Sequence, residues 1–300
     1  MARILVSGSS GLVGSALIPS LRGAGVRVAR LTRPSTAQGA NDEERIPWNP
    51  SEPISRDAVS GFDAVIHLAG ESIVGRWTES RKAVIRNSRI PPTTNLARAL
   101  AQAKAKPQVF LSASAIGFYG NRGDEVLTEQ SPSGTGFTAD LARDWEQASL
   151  PAAEAGIRTV QMRIGIILSP KGGALRKMLL PFKMGVGGRV GHGRQWMSWI
   201  DLHDVIGAMQ HLLRSDLLHG PVNLVAPKAV TNAEFTKALG SVLSRPTIFP
   251  VPSFAARLAF GQMADELLLA SQRVEPTKLI TSGYPFRYPT LKASLESQNL

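Results

Sequence analysis

The segment Gly8-Ser9-Ser10-Gly11-Leu12-Val13-Gly14 constrains this chain most. It follows a short apolar run, Arg3–Ser7, and opens a helical pattern, Leu12–Gly23. A strand that turns this quickly into a helix leaves the first-turn amides free, with the positive end of the helix dipole behind them. Gly8 permits the tight turn, Gly11 lets a pyrophosphate approach the backbone, and Gly14 allows close helix–strand packing. The expected occupant is a dinucleotide cofactor, gripped by Gly8, Ser10, Gly11, Leu12 and Val13. A Walker loop is excluded, because GK[ST] is missing.

The rest of the chain supports a sheet of this type. Val26–Leu31, Ala64–Leu68, Val109–Ser112 and Thr159–Ile164 are short, branched and nearly continuously apolar, as strands buried on both faces are. Helical patterns alternate with them at Glu79–Ala103 and Thr138–Ala155, and the Pro-rich stretch from Ile46 to Ile54 leaves a third, short strand. The expected fold is therefore α/β, a doubly wound parallel sheet of Rossmann type in residues 1–168. Residues 169–300 are expected to form a smaller, mainly helical substrate-side domain, with 199–226 returning to the first. Seven glycines between Gly172 and Gly193 predict a long irregular excursion near a site. Asp204 is expected to cap the helix Val205–Leu213, Thr231 and Glu234 to form a capping box, and Phe254–Val274 to be one amphipathic stretch.

Composition removes several classes of function. With 43% hydrophobic residues the chain can bury a sizeable core, and with no cysteine it has no disulfide, thiolate nucleophile or thiolate metal site. The five histidines show no metal-site spacing, and HExxH is absent. No apolar run of transmembrane length and no signal peptide are visible, so the expected location is the cytoplasm.

The end of the second strand selects the cofactor. An NAD binder places Asp or Glu there, on the ribose 2′-hydroxyl. Here it reads Arg30-Leu31-Thr32-Arg33, with no acid until Asp42. A guanidinium binds a 2′-phosphate through charge-assisted bonds, whereas a carboxylate repels it. The expected cofactor is NADP(H), with Arg33 as the main contact and Thr32 beside it.

The GxxGxxG spacing resembles the extended branch of the short-chain dehydrogenase/reductases. That resemblance places His67-Leu68-Ala69-Gly70 beside the adenosine and ribose, and Ser114 of Ser112-Ala113-Ser114 near the nicotinamide. It becomes closer through Gly70-Glu71-Ser72, Arg76-Trp77-Thr78, Asn87-Ser88-Arg89, Ser112 to Gly120, Arg143-Asp144-Trp145-Glu146 and Gly193 to Ile200. These segments resemble an atypical extended branch, the epimerase family proteins, also called nucleoside-diphosphate-sugar epimerase-like. Gly261-Gln262-Met263 through Val274, and Tyr288-Pro289-Thr290-Leu291, are similar to that family's C-terminal domain of unassigned function. Leu68, Ala69, Gly70, Glu71, Ser112 and Arg163 complete the expected cofactor set. Asp201-Leu202-His203-Asp204 departs from the His-x-Asp-Asp of relatives.

The resemblance implies an oxidoreductase or epimerase, but its usual proton relay is missing. A Tyr-x-x-x-Lys pair sits on one helix face in most of the superfamily, and the lysine lowers the tyrosine pKa. Here Phe137 and Leu141 hold those positions. One alternative is a reductase in which Ser114 orients a carbonyl and Tyr119 donates the proton, with Arg122 or Arg163 in place of the lysine. The other is a non-catalytic NADPH-binding regulatory or scaffold protein, since relatives are associated with cell or organelle division. The paired acids Asp124-Glu125 and Asp265-Glu266 read as solvated faces, and Trp196 and Trp199 serve equally as pocket wall or core.

The net charge of +11 is uneven, +7 of it falling after Ser169. Lys171, Arg176, Lys177, Lys183, Arg189 and Arg194 all precede the first acid of that part, Asp201. Together with Arg33 this distribution predicts an anionic cofactor and an anionic small-molecule substrate. No reading motif for nucleic acid accompanies it, and no motif specifies an oligomeric state.

Overall fold

Ile4 and Val6 leave the first strand toward one face and Leu5 toward the other, and all three are buried. A strand apolar on both sides needs a layer of helices on each. The computed structural model describes residues 2–34 and 44–300; Asp42 lies outside them.

In chain order, β1 (Arg3–Ser7) leads through the glycine loop into α1 (Leu12–Gly23), β2 (Arg27–Thr32) and the short β3 (Arg45–Pro47). β4 (Ala64–His67) is followed by α2 (Glu79–Asn87) and α3 (Ile90–Gln102). β5 (Val109–Ala115) precedes β6 (Val126–Leu127), α4 (Phe137–Ala148) and α5 (Leu150–Glu154). β7 (Arg158–Ile164), β8 (Ile166–Leu168), α6 (Gly173–Lys183), β9 (Trp196–Met197) and β10 (Trp199–Asp201) lead to α7 (Leu202–Arg214) and β11 (Gly220–Leu224). β12 (Val230–Thr231), α8 (Asn232–Leu243), α9 (Ser253–Phe260), β13 (Arg273–Val274), α10 (Thr277–Thr281) and α11 (Leu291–Ser297) follow.

Seven of these strands form a parallel sheet in the order β11-β7-β5-β4-β1-β2-β3. β1 stands where the connections change direction, so a crevice opens at the carboxyl ends of β1 and β4. On one face Ile4 and Val6 share a core with Leu17 and Ile18 of α1 and Val205 and Met209 of α7. On the other, Leu5, Val65 and Phe110 pack on Leu96 and Leu100 of α3. A third core joins α6, α8 and α11 through Leu175, Phe235, Leu239 and Leu295, with Trp199 fully buried among them. Trp199 is therefore core. Trp196 is half-buried and its indole N–H donates to Asp124 at 2.8 Å.

Several local expectations need correction. The stretch Glu79–Ala103 is two helices: Thr78 caps the first, and Pro91 and Pro92 open the second, where their missing N–H groups cost nothing. Thr138–Ala155 likewise divides at Ser149, with Pro151 at the start of α5. The glycine-rich excursion contains an eleven-residue helix, α6. Of the stretch 199–226, β11 joins the main sheet, whereas β10 pairs with β8 outside it. Phe254–Val274 leaves the α-helix at Gly261, widens into a π turn over Ala264–Leu268 and ends as β13. The capping box of Thr231 and Glu234 is present.

The cap of α7 moves from Asp204 to Asp201, whose carboxylate accepts from His203 N at 2.8 Å. Asp204, buried in the first turn, instead grips the C-terminal arm. It accepts from Tyr284 Oη at 3.0 Å, Arg287 N at 2.7 Å and Tyr288 N at 2.8 Å. Hydrogen bonds to a buried carboxylate are stronger than neutral ones, and truncation leaves three donors without it. Asp204→Ala is therefore expected to lower the unfolding free energy by about 3 kcal/mol. Urea denaturation measures it, and a loss below about 0.5 kcal/mol would show that the arm is held by other contacts.

Candidate functional site

The glycine loop is built by backbone crowding. Gly8 adopts φ +68°, and a Cβ there would lie 2.5 Å from the Leu68 carbonyl carbon. A Cβ on Gly14 would lie 2.4 Å from Gly8 O. Both positions thus exclude any side chain: the first lets β1 turn beneath the Leu68–Ala69 backbone, the second seats α1 on the loop. Ser10 and Gly11 are exposed at the loop tip, with Leu12 and Val13 behind them.

The start of α6 comes down on the same place. A Cβ on Gly172 would meet Leu12 Cδ1 at 3.2 Å, and one on Gly173 would meet Leu12 Cδ2 at 3.3 Å. Neither α1 nor α6 has a side-chain cap or an acid in its first turn, and exposed Lys171 immediately precedes Gly172. Two uncapped helix N-termini and a lysine at one point favour an anion. Two buried hydroxyls on the expected cofactor path, Ser112 Oγ and Thr32 Oγ1, have no hydrogen-bond partner among the described residues. Arg33 is exposed beside Thr32. The residues present therefore fit a phosphate-bearing dinucleotide.

Beneath the crevice runs a buried polar chain. Thr93 Oγ1 donates to Arg89 O at 2.7 Å, so it accepts from Trp145 Nε1 and from His67 Nε2, both at 3.0 Å. His67 then carries its proton on Nε2, and Nδ1 accepts from Ser7 Oγ at 2.6 Å. Ser7 Oγ in turn accepts from Leu68 N at 3.2 Å. This chain fixes the tops of β1 and β4 to α3. The following loop is tied by Arg89, which donates to Glu71 O at 2.8 Å and whose guanidinium would be 3.3 Å from a Cβ on Gly70. Burial pushes Arg89 down to about 10, which leaves it charged at neutral pH. Ser88 Oγ accepts from Glu71 N at 3.1 Å. Asn87-Ser88-Arg89 was visible as a motif, but nothing in the sequence shows that it anchors Leu68–Glu71.

A second buried network corrects the catalytic expectations. Arg163 makes a bidentate ion pair with Glu146, both contacts at 2.8 Å, and its guanidinium stacks 3.5 Å from the Phe118 ring centre. It also donates to Tyr119 Oη at 3.0 Å. Tyr119 is fully buried and donates to Asn223 Oδ1 at 2.7 Å. Burial raises its pKa, and Arg163 offsets only part of that. A proton donor needs an accessible hydroxyl with a pKa near the operating pH, and Tyr119 has neither, so it packs the interior. Arg163 is spent on Glu146 and Tyr119 rather than on the crevice, and Arg122 pairs with Glu125. Ser114 Oγ donates to Glu146 Oε1 at 2.7 Å. Phe137 stacks edge-on against Trp77, and Leu141 is buried beside it.

Glu266 is no solvated face either. Its carboxylate accepts from Phe137 N, Thr138 N and Thr138 Oγ1 at 2.8–3.1 Å, capping α4 from the C-terminal part of the chain. A groove of about 740 Å³ runs beside α4, β7 and β11 and is lined in part by Phe118, Glu146, Gln161 and Arg163. It contains no residue of the glycine loop. Among the described residues, no group of three His, Asp or Glu is placed to hold a metal ion.

Residues 4–224 match the NAD dependent epimerase/dehydratase family, and residues 251–298 match the domain of unknown function DUF1731. The chain belongs to the NAD dependent epimerase/dehydratase family. Within this family it is 45% identical to the epimerase family protein Mb2239 of Mycobacterium bovis over 98% of this chain and 96% of that one. The crystal structure of human epimerase family protein SDR39U1 with NADPH has a TM-score of 0.89 at 32% identity, over 99% of each chain. The nucleoside-diphosphate sugar epimerase of Corynebacterium glutamicum superposes at 0.82 and 36% identity, over 99% of this chain and 58% of that one. The Rossmann sheet and the small helical C-terminal region are thus shared with the epimerase family proteins.

Burial pushes the His67 imidazole down to about 4 from 6.5. Between those values the unfolded chain binds a proton that the folded chain does not, so stability falls as pH falls. From pH 7.5 to pH 4 this one group is expected to remove about 3 kcal/mol. Urea unfolding of the wild type and His67→Gln at both pH values isolates it. An equal pH dependence in the two proteins would contradict the neutral buried imidazole.

Proposed function

We propose that this chain binds NADP(H) along Gly8, Ser10, Gly11, Leu12 and Val13 and uses it in an oxidoreductase or epimerase-like reaction. The substrate is a carbonyl or alcohol on an anionic small molecule, of which a sugar nucleotide is one fitting class. The observation that carries this reading is the loop where Gly8 and Gly14 admit no side chain, facing two uncapped helix N-termini. Ser112, Leu68, Ala69, Gly70 and Glu71 line the way from it, and Thr32 and Arg33 take the 2′-phosphate. The NADPH in the human relative supports that choice over NAD.

When bound, the cofactor would supply a hydride to a carbonyl in its reduced form, NADPH, and would take one from an alcohol in its oxidised form, NADP+. Ser114 is the hydroxyl assigned to the substrate oxygen. Its own proton is held by Glu146, so its free lone pair accepts a hydrogen bond from a substrate hydroxyl. As an alcohol is oxidised, its proton passes to Ser114 Oγ while the Ser114 proton passes to Glu146. Arg163 fixes the carboxylate for that role. Arg163 thereby acts through Glu146.

The absence of a titratable side chain at Phe137 and Leu141, with Tyr119 sealed in the interior, favours a second reading. In it NADPH is held without turnover, as a regulatory or scaffold ligand. Addition of carbonyl substrates separates the two: a reductase consumes bound NADPH, and a binding protein keeps it.

Arg33→Ala is expected to weaken NADPH at least about tenfold, the worth of one charge-assisted phosphate contact, and to leave NADH unchanged. Fluorescence titration with both cofactors measures this. Unchanged NADPH affinity would remove Arg33 from the site. Ser114→Ala should slow turnover about 100-fold with NADPH affinity intact, and an unchanged rate would remove Ser114 from the chemistry.

A further inference from the structure

The helix α9 turns its apolar side outward. Of its eight residues only Ala256 is buried, while Phe254 is 71% and Leu258 75% exposed. Ile248 and Phe249, just before it, are 73% and 55% exposed. The segment 245–251 runs beside 183–191. Arg245 Nε donates to Lys183 O at 2.9 Å, and Val251 N donates to Arg189 O at 2.8 Å. The exposed Met184 and Val186 therefore lie alongside. Single exposed apolar residues need no explanation, but a contiguous group marks a contact surface.

The charge around this group is mostly basic. Lys183, Arg189, Lys237, Arg245 and Arg257 lie on the segments that form it. Arg257 is paired with Asp265 at 2.8 Å. A cavity of about 300 Å³ opens on the same segments, lined by Arg189, Lys237, Thr236, Thr247, Ile248 and Pro250. It offers two cations and two hydroxyls beside apolar surface.

We propose that this face docks on an anionic phospholipid bilayer. Phe249, Phe254 and Leu258 enter the acyl boundary, and Arg189 and Lys237 take headgroup phosphate. A second copy of the chain docking through the same face would bring basic rim against basic rim. Lysine is depleted from protein interfaces, whereas an apolar patch rimmed by lysine and arginine suits a membrane surface. Attachment is peripheral, since among the described residues no helix is long and apolar enough to cross a membrane. Arg76 Nη1 donates to Leu258 O at 3.3 Å, which ties the docking helix to the loop after β4. The membrane would therefore lie near the mouth of the crevice.

Co-sedimentation with vesicles tests this, using phosphatidylcholine alone and phosphatidylcholine with about 30% phosphatidylglycerol, an anionic surface. The full chain is expected to bind the anionic vesicles, to be released by salt and to ignore the neutral ones. Free glycerol phosphate should not release it. The double variant Phe254→Asp, Leu258→Asp and the variant Lys237→Glu should each lose about tenfold in binding. Leu217→Asp, at an apolar residue 87% exposed elsewhere, should lose nothing. Retained NADPH binding and thermal stability show that each variant is folded. Three results would overturn the proposal: no binding to anionic vesicles, equal binding to neutral ones, or unchanged binding by the double variant. A concentration-dependent dimer abolished by Phe254→Asp would also overturn it, in favour of a second copy.

Discussion

The structure depends on the close approach of two backbones at the top of β1 and β4. Gly8 passes so near Leu68 that a methyl group there would overlap the carbonyl carbon. That approach places the first turn of α1 at the mouth of the crevice, and the second exclusion, at Gly14, keeps the helix seated. Beneath it, Ser7, His67 and Thr93 form a chain of hydrogen bonds in which each donor has one acceptor. Such buried chains specify a single arrangement because every alternative leaves a polar atom unpaired. The shape of the glycine loop is thus fixed by the protein's own contacts.

Three carboxylates attach the later chain to that frame. Asp201 caps α7 and accepts from Ser294 and Gln298 of the C-terminal end. Asp204 holds Tyr284, Arg287 and Tyr288. Glu266 caps α4 at the position where a catalytic tyrosine would ordinarily stand. The region that matches a domain of unknown function therefore supplies the cap for α4. Phe137, the first residue of that helix, packs edge-on against Trp77.

The strands, the glycine loop and the parallel sheet were legible because they rest on local periodicity and on glycine's freedom at one turn. Helix breaks at Ser88 and Ser149 were harder, because the proline that restarts each helix also fits a helix's first turn. The cap of α7 was misplaced by one turn: Asp201 and Asp204 both suit a cap, and only the distant Tyr284 and Tyr288 decide between them. Tyr119 shows the limit most clearly. Its distance from Ser114 along the chain favoured a shared pocket. Arg163 and Asn223, 44 and 104 residues away, enclose it instead, and no spacing within the segment reports them. Glu146 was quoted only as part of a motif, because its role appears when β5 and β7 bring Ser114 and Arg163 to it.

The central claim is that the cofactor lies on the glycine loop. Amide hydrogen exchange of the full chain with and without NADPH tests it most directly, since bound phosphate occupies those amides. Protection is expected at Gly8–Val13, at Leu68–Glu71 and at the start of α6. Unchanged exchange there, or protection confined to the groove beside β7 and β11, would contradict the account.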